Sequence, residues 1–359
     1  MKKKIIHFIF NLGRGGAETM MVRVIKELDE YEHVIVTLFP DNHFGEEIQC
    51  RLVCLDLTSL LSLPLAITRF RKLVKREKPD LVHTHLFWPT IVARLSVPRK
   101  IPLITTIHAF IASSIEYKNW HIRLIDKFTY KFRKSIIIVV ARGALNEYFS
   151  FLRLKKYKAY ALYTFVDLER FNIDKQITGV NRSAFRLVSV GALRAQKNYD
   201  FLISAFTQLR DQDIELHIFG VGDLHTHLQR RIDDSKVKVF LKGEVHNIQD
   251  ILPQYDLYVM SSTFEGFSLS VLEAMAMGIP LLLSDIPSFQ EQCGSTAEYY
   301  LLSDINDFVQ KLSRLAHMPK VELKQKGEKG WLRVNENFTL PQHMAGLRNI
   351  YSDALAKSY

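Results

Sequence analysis

Residues 4–19 read KIIHFIFNLGRGGAET, an apolar run of β-forming residues, a glycine-rich turn, and the start of an apolar-periodic helix at Ala17. Strand, turn, helix is half of a βαβ unit, and the order recurs along the chain. Further β-type runs lie at 33–39, 52–55, 81–85, 103–108 and 136–140, separated by helix-length stretches. Such alternation predicts a parallel sheet covered by helices on both faces. A second series starts at 186–190 and continues at 215–219, 237–241, 257–260 and 279–283. The expected fold is therefore α/β, with two Rossmann-like, doubly wound parallel-sheet domains in tandem. The length of 359 residues suits two domains of about 150–200 residues.

The expected domains are 1–165 and 166–337, with the polar, turn-rich stretch 174–183 (DKQITGVNRS) as the linker or a loop beside it. Beyond 318 strand signals cease. Pro319 and Pro341 mark helix starts, and a final helix over 338–359 is expected to pack back on the first domain.

Composition excludes several classes. Apolar residues at 47% and charged residues at 24% describe a globular protein. The longest apolar run, 60–68, contains Pro64 and is far short of the roughly 20 residues a membrane span needs. Cys50, Cys54 and Cys293 form no disulfide framework, and no apolar signal segment opens the chain, so a cytoplasmic location is expected.

The net charge of +10 is unevenly spread. Residues 1–165 carry 27 Lys and Arg against 14 Asp and Glu, a balance of +13, and the remainder balances at −3. Basic residues alternate with aromatics in 120–134 (WHIRLIDKFTYKFRK) and crowd 69–78. This half is either a solvated basic face or one that meets an anionic membrane surface, which would make the protein peripheral on the inner face of the cytoplasmic membrane. No nucleic-acid motif accompanies the charge, so nucleic acid is not expected as a partner.

Ligands of doubly wound sheets bind at the carboxyl ends of the strands, so the residues following each strand decide the chemistry. After the first strand, Gly13, Gly15 and Gly16 let backbone N–H groups approach a ligand at a helix start, or simply make the turn. The spacing is neither the dinucleotide fingerprint nor a P-loop. His83, His85 and His108 end the fourth and fifth strands, where a histidine can hydrogen-bond a sugar hydroxyl. With no Asp, Glu or Cys at ligand spacing, no metal site is expected. In the second half, GALRAQKN (191–198) brings Arg194 and Lys197 into one loop, cations suited to a diphosphate. The stretch SSTFEGFSLSVLEAMAMGIPLLLSD (261–285) puts Glu265, Gly266 and Phe267 before a helix that carries Glu273 in apolar surroundings, a carboxylate able to grip ribose hydroxyls. Asp211 and Asp213 form a DxD-like pair, but they precede a strand, so a turn is the better reading.

In chain order, GGAE (15–18), HTH (83–85), TIHAF (106–110), VGALRAQKN (190–198) and EGF…EAMAxGxP (265–280) resemble the family 4 retaining glycosyltransferases, over nearly the whole chain. The resemblance implies a GT-B fold, its two domains facing a central cleft. It further implies metal-independent, retaining transfer of a sugar from a UDP-sugar or GDP-sugar to a glycan or lipid-linked acceptor. Nucleotide sugar is a substrate there, and no cofactor is expected. Carried over by position, Gly15 and Gly16 contact donor phosphates and His108 approaches the transferred sugar. Lys197 and Arg194 meet the diphosphate, Glu265 binds sugar hydroxyls and Glu273 grips the ribose. The backbone of Gly266, Phe267, Ser268 and Leu269 caps phosphate or sugar. Catalytic roles fall to His108, Glu265 and Lys197, and His85 and Arg14 lie on the acceptor side. By analogy the context is cell-envelope polysaccharide assembly. Ala192 departs from the family, which usually has Arg there in a G-R-L pattern. Two other readings stay open: a nucleotide-sugar 2-epimerase, and a non-catalytic sugar-nucleotide-binding protein.

Overall fold

The computed structural model describes residues 2–13, 15–108, 110–111, 115–173 and 184–356; Arg14 and the expected linker at 174–183 lie outside them. The chain divides into two compact units, one of Met1–Thr164 with Pro341–Tyr359, the other of Phe165–Leu340.

The first unit holds strands β1 (Lys3–Ile9), β2 (Tyr31–Thr37), β3 (Arg51–Cys54), β4 (Leu81–His85), β5 (Leu103–Ile107), β6 (Ile136–Val139) and β7 (Ala159–Ala161). They form one parallel sheet in the order β3-β2-β1-β4-β5-β6-β7. The second unit holds β8 (Phe185–Val190), β9 (Ile214–Phe219), β10 (Val239–Gly243), β11 (Leu257–Met260), β12 (Leu281–Ser284) and β13 (Glu298–Tyr300). Their order is β10-β9-β8-β11-β12-β13, again parallel. Both sheets reverse direction next to their first strand, the place where doubly wound folds open a crevice. The short edge strands β7 and β13 are not expected from sequence: three residues give no usable periodicity.

Burial explains the elements. Every residue of β4 is buried, as a central strand covered on both faces requires. In the helix Leu63–Glu77, Pro64 sits in the first turn and Ala66, Phe70, Leu73, Val74 and Glu77 are buried at helical spacing. Phe70 stacks on Phe8 of β1 with ring centroids 4.2 Å apart, joining that helix to the sheet. The apolar run at 60–68 is thus a helix entry, and no described helix is long and apolar enough to cross a membrane. In the second unit the core gathers Leu187, Leu216, Leu257 and Leu282 from four neighbouring strands.

The last helix, Leu340–Ala356, packs on the first unit from Pro341 onward. Tyr351 meets His83 at 2.7 Å, His343 contacts the Tyr163 carbonyl at 2.7 Å, and Arg348 donates to Glu30 at 2.8 Å.

Candidate active site

In the second unit the loops after β8 and β11 meet at the reversal point. Lys197 Nζ donates to Glu265 Oε1 at 2.7 Å, with the side chains only 14% and 9% exposed. Ser262 Oγ donates to the same oxygen at 2.6 Å. The loops are also laced together through backbone: Gln196 Nε2 donates to the Phe264 carbonyl, and the Thr263 N–H to the Gln196 carbonyl, each at 2.9 Å. Ser261 Oγ lies 2.8 and 2.9 Å from the carbonyls of Lys197 and Asn198. Asn198 takes a left-handed φ of 50°, which an Asx residue tolerates, and turns the chain into the helix Tyr199–Phe206.

The 191–198 loop is held from below by the loop after β9. A Cβ at Gly220, where φ is +144°, would lie 2.1 Å from the Gly191 carbonyl oxygen, and one at Gly222 would lie 2.5 Å from that of Leu193. Only glycine permits this backbone-on-backbone packing. Sequence reading missed both positions, although the spacing Gly220-Val221-Gly222 directly after a strand is a usable signal.

From Glu265 the chain passes Gly266, Phe267 and Ser268 into the helix Leu269–Ala276. The expected backbone cap here is narrower than the sequence suggests. The Ser268 N–H is already bonded to Oε1 of buried Gln292 at 3.0 Å, and Gln292 Nε2 donates back to the Ser268 carbonyl at 2.8 Å. Phe267 is buried and packs edge-on against Phe338, so it offers a ligand no ring. Leu269 and Ser270 open the helix, where N–H groups have no intrahelical acceptor. Glu273, one turn further, is largely buried, and burial pushes its carboxyl up to about 7 against an opposing pull from Arg170. Arg194, at the loop's near end, is exposed, and its side chain has no partner among the described residues.

The first unit's reversal point differs in kind. Gly15 caps the helix Gly16–Lys26, yet the anion beside it is the chain's own: a Cβ on Gly15 would lie 2.4 Å from Glu18 Oε2. Glu18 is buried, which raises its pKa. The space at Gly16 is open. Behind this turn lies a cluster of histidines. His85 Nδ1 and His108 Nε2 are 3.3 Å apart, His83 bonds Tyr351 and Thr106 at 2.7 Å each, and His7 meets His33 at 3.1 Å. Burial lowers the pKa of His7, His83 and His85 well below the ordinary value and that of His108 to about 4, so all are neutral imidazoles near pH 7. Beside His108 a cavity of about 80 Å³ is lined by Leu86, Phe87, Thr90, Arg94 and Tyr117.

No metal site was expected, yet His7, His83 and His85 place ligand atoms within 4.8 Å of one another. His83 spends both nitrogens on Tyr351 and Thr106, which leaves Nδ1 of His7 and Nε2 of His85 as the buried nitrogens without partners. Sequence reading missed His7, because only the parallel pairing of β1 with β4 sets it opposite His83.

Two tandem Rossmann-like parallel-sheet units are the architecture of the GT-B glycosyltransferases. A family model described as Glycosyl transferases group 1 matches residues 184–318, and one described as Glycosyltransferase Family 4 matches 14–170. The chain belongs to this glycosyltransferase family. It is 25% identical, over 85% of its length and 87% of the relative's, to the Campylobacter jejuni N-acetylgalactosamine-N,N'-diacetylbacillosaminyl-diphospho-undecaprenol 4-alpha-N-acetylgalactosaminyltransferase. It is 26% identical, over 85% of its length and 82% of the relative's, to the Escherichia coli UDP-Gal:alpha-D-GlcNAc-diphosphoundecaprenol alpha-1,3-galactosyltransferase. Among solved structures, Anabaena HepE in complex with UDP and glucose superposes with a TM-score of 0.84 at 15% identity, covering 98% of this chain and 99% of that one. Sucrose-phosphate synthase from Thermosynechococcus elongatus gives 0.84 at 16%, covering 99% and 100%.

Proposed function

We propose that this glycosyltransferase moves a sugar from a UDP-sugar to a lipid-linked glycan in cell-envelope polysaccharide assembly, with retention of configuration and without a metal. The observation that carries the donor assignment is the Lys197–Glu265 pair. A nearly buried ion pair is weak evidence for stability, since desolvation offsets its attraction. Its value is chemical. Lys197 Nζ sits where a cation can neutralise a leaving diphosphate. Lys197 and Ser262 both donate to Glu265 Oε1, so Oε2 serves the hydroxyls of the transferred sugar.

The other roles follow the same loops. Glu273 accepts from the ribose hydroxyls, and the first N–H groups of its helix, at Leu269 and Ser270, cap a phosphate. Arg194 supplies the guanidinium that the family usually places at position 192, reaching the diphosphate from two residues further on. In the first unit His108 approaches the transferred sugar as a neutral hydrogen-bonding group, buried His85 positions it from the acceptor side at 3.3 Å, and Gly16 leaves room for donor phosphate. Charge stabilisation then supplies most of the rate, the leaving phosphate itself helping to take the acceptor proton. The choice of a UDP-sugar follows the donor of the Escherichia coli relative, and that of an undecaprenol-linked acceptor follows both bacterial relatives. The basic first unit would hold the enzyme against the anionic membrane face that carries such an acceptor.

A donor screen by thermal shift tests this reading, since a donor bound at 100 times its Kd raises stability by about 2.7 kcal/mol. A UDP-sugar should raise Tm, and transfer of its labelled sugar to a polyprenyl-diphosphate glycan should follow. Isomerisation of free donor, or donor binding with no transfer to any lipid-linked acceptor, would overturn it.

A further inference from the structure

The helix Trp120–Phe132 buries Ile122, Asp126, Thr129 and Tyr130, and Asp126 is fixed there by Arg94, Tyr117 and Tyr148. Its outer face is unusual for a globular protein. Trp120 is 69% exposed, Leu124 39%, Phe128 63% and Phe132 60%. These four are spaced at i, i+4, i+8 and i+12, so they form one stripe about 18 Å long at the helical rise. Isolated exposed apolar residues need no explanation, but four large ones in line do.

What surrounds the stripe identifies its partner. Lys118, Lys131, Lys134, Arg99 and Lys100 are exposed around it, and Lys127 is half-exposed beside Phe128. Arg99 lies over the Phe132 ring at 6.0 Å, and Lys134 over exposed Tyr157 at 5.5 Å. Asp126, the helix's single acidic residue, is on the opposite, buried face. Protein interfaces are depleted in lysine. Aromatic residues on one face, with lysines flanking them, are the pattern of a helix that lies in the interface of an anionic bilayer. Arg133, which charge alone would include, is excluded: its guanidinium is turned inward onto the carbonyls of Pro98 and Ile101 at 3.4 and 2.6 Å.

We propose that this helix is a membrane-docking element whose Trp120, Leu124, Phe128 and Phe132 insert among the lipid headgroups while the flanking lysines contact anionic lipid. This deepens, and rests on, the reading that the acceptor is lipid-linked. It adds that the contact is insertion of a defined stripe, beyond attraction of a basic surface.

The full chain is tested by co-sedimentation with vesicles of phosphatidylcholine alone and with about one-third phosphatidylglycerol, at physiological salt. Wild type should bind the anionic vesicles at least about tenfold better than the neutral ones. The triple variant Leu124→Ser, Phe128→Ser, Phe132→Ser should lose that binding with unchanged circular dichroism and Tm. Trp120 fluorescence should be quenched by brominated lipid, a signal lost in Trp120→Phe. Retention of full binding by the triple variant, with loss only in Lys127→Glu, Lys131→Glu, would overturn insertion. Equal binding of wild type to both vesicles, or to neither, would overturn the proposal altogether. The thermal shift with UDP-sugar reads the donor site separately, so failure here is distinguishable from failure of the transferase reading.

Discussion

The two units are built on the same strand order around the same reversal point, and they fill that point with opposite chemistry. After β8 and β11 a lysine and a glutamate make a nearly buried ion pair. In β1, at the end of β4 and just after β5 the corresponding space holds histidines that burial keeps neutral, next to a helix end that already carries its own carboxylate, Glu18. A shared scaffold therefore says where ligands meet the chain, and only the side chains say which. The charged point suits a diphosphate. The neutral one suits hydroxyls, and a phosphate brought to the Gly15–Gly16 turn has to share the site with Glu18.

The largest effect that could break this contrast is at the ion pair. Lys197→Ala should lower turnover by about 10²- to 10³-fold, as removal of a key electrostatic stabiliser does. Sugar transfer from a saturating UDP-sugar measures it, and a rate within a factor of two of wild type would show that the pair is merely structural. Next comes the support of its loop. Gly220→Ala forces a Cβ onto the Gly191 carbonyl in a left-handed backbone, so it should cost about 2–4 kcal/mol and release residues 191–198. Urea unfolding checks the first expectation, and loss of donor-induced thermal shift checks the second.

Glu273 sharpens the contrast through pH. Because its carboxyl titrates at about 7, the ionised form that accepts from ribose is lost on acidification, and donor affinity should fall from pH 8 to pH 6. Glu273→Gln should weaken donor binding by about tenfold at pH 8 and flatten that profile. Isothermal titration at three pH values decides it. The stability consequence has the opposite sign. The folded pKa lies above the ordinary 4.5, so the native state binds the extra proton and loses stability as pH rises through the window from about 4.5 to about 7. Glu273→Gln should therefore gain Tm over wild type at pH 8, by a few degrees, and little at pH 5.

The histidines of the first unit should run the other way, with the smallest effect in the neutral range. Their folded pKa values are depressed below 6.5, so the unfolded chain binds the protons and native stability is lost as pH falls from about 6.5. The wild-type Tm should fall from pH 7 to pH 5, and a first-unit variant such as His85→Gln should fall less steeply. Parallel slopes for the two proteins would show that His85 is not one of the groups responsible.

Much of this was open to inspection in the linear sequence. The β-runs at 81–85 and 257–260 coincide with β4 and β11, because buried parallel strands are near-continuous apolar segments. Lys197, Glu265 and Glu273 stand out as charges in strand-end loops or in an apolar helix. Three features were missed. Gln292 occupies the Ser268 N–H from 24 residues away, and nothing local marks it. Gly220 and Gly222 act by backbone contact with a different loop. His7 reads as an interruption in a strand until its neighbours are known.

Periodicity, turn residues and motif order are local properties, and they determined that this chain is two doubly wound domains with a donor-like loop in the second. Tertiary structure decided which residues touch. Lys197 reaches Glu265 across 68 residues only because parallel pairing sets β8 beside β11. The same geometry sets β1 beside β4, closes His7 upon His83, and turns Arg133 inward while leaving Phe128 in solvent. Such contacts arise when non-neighbouring strands pair and bury their faces, and no sequence window spans them.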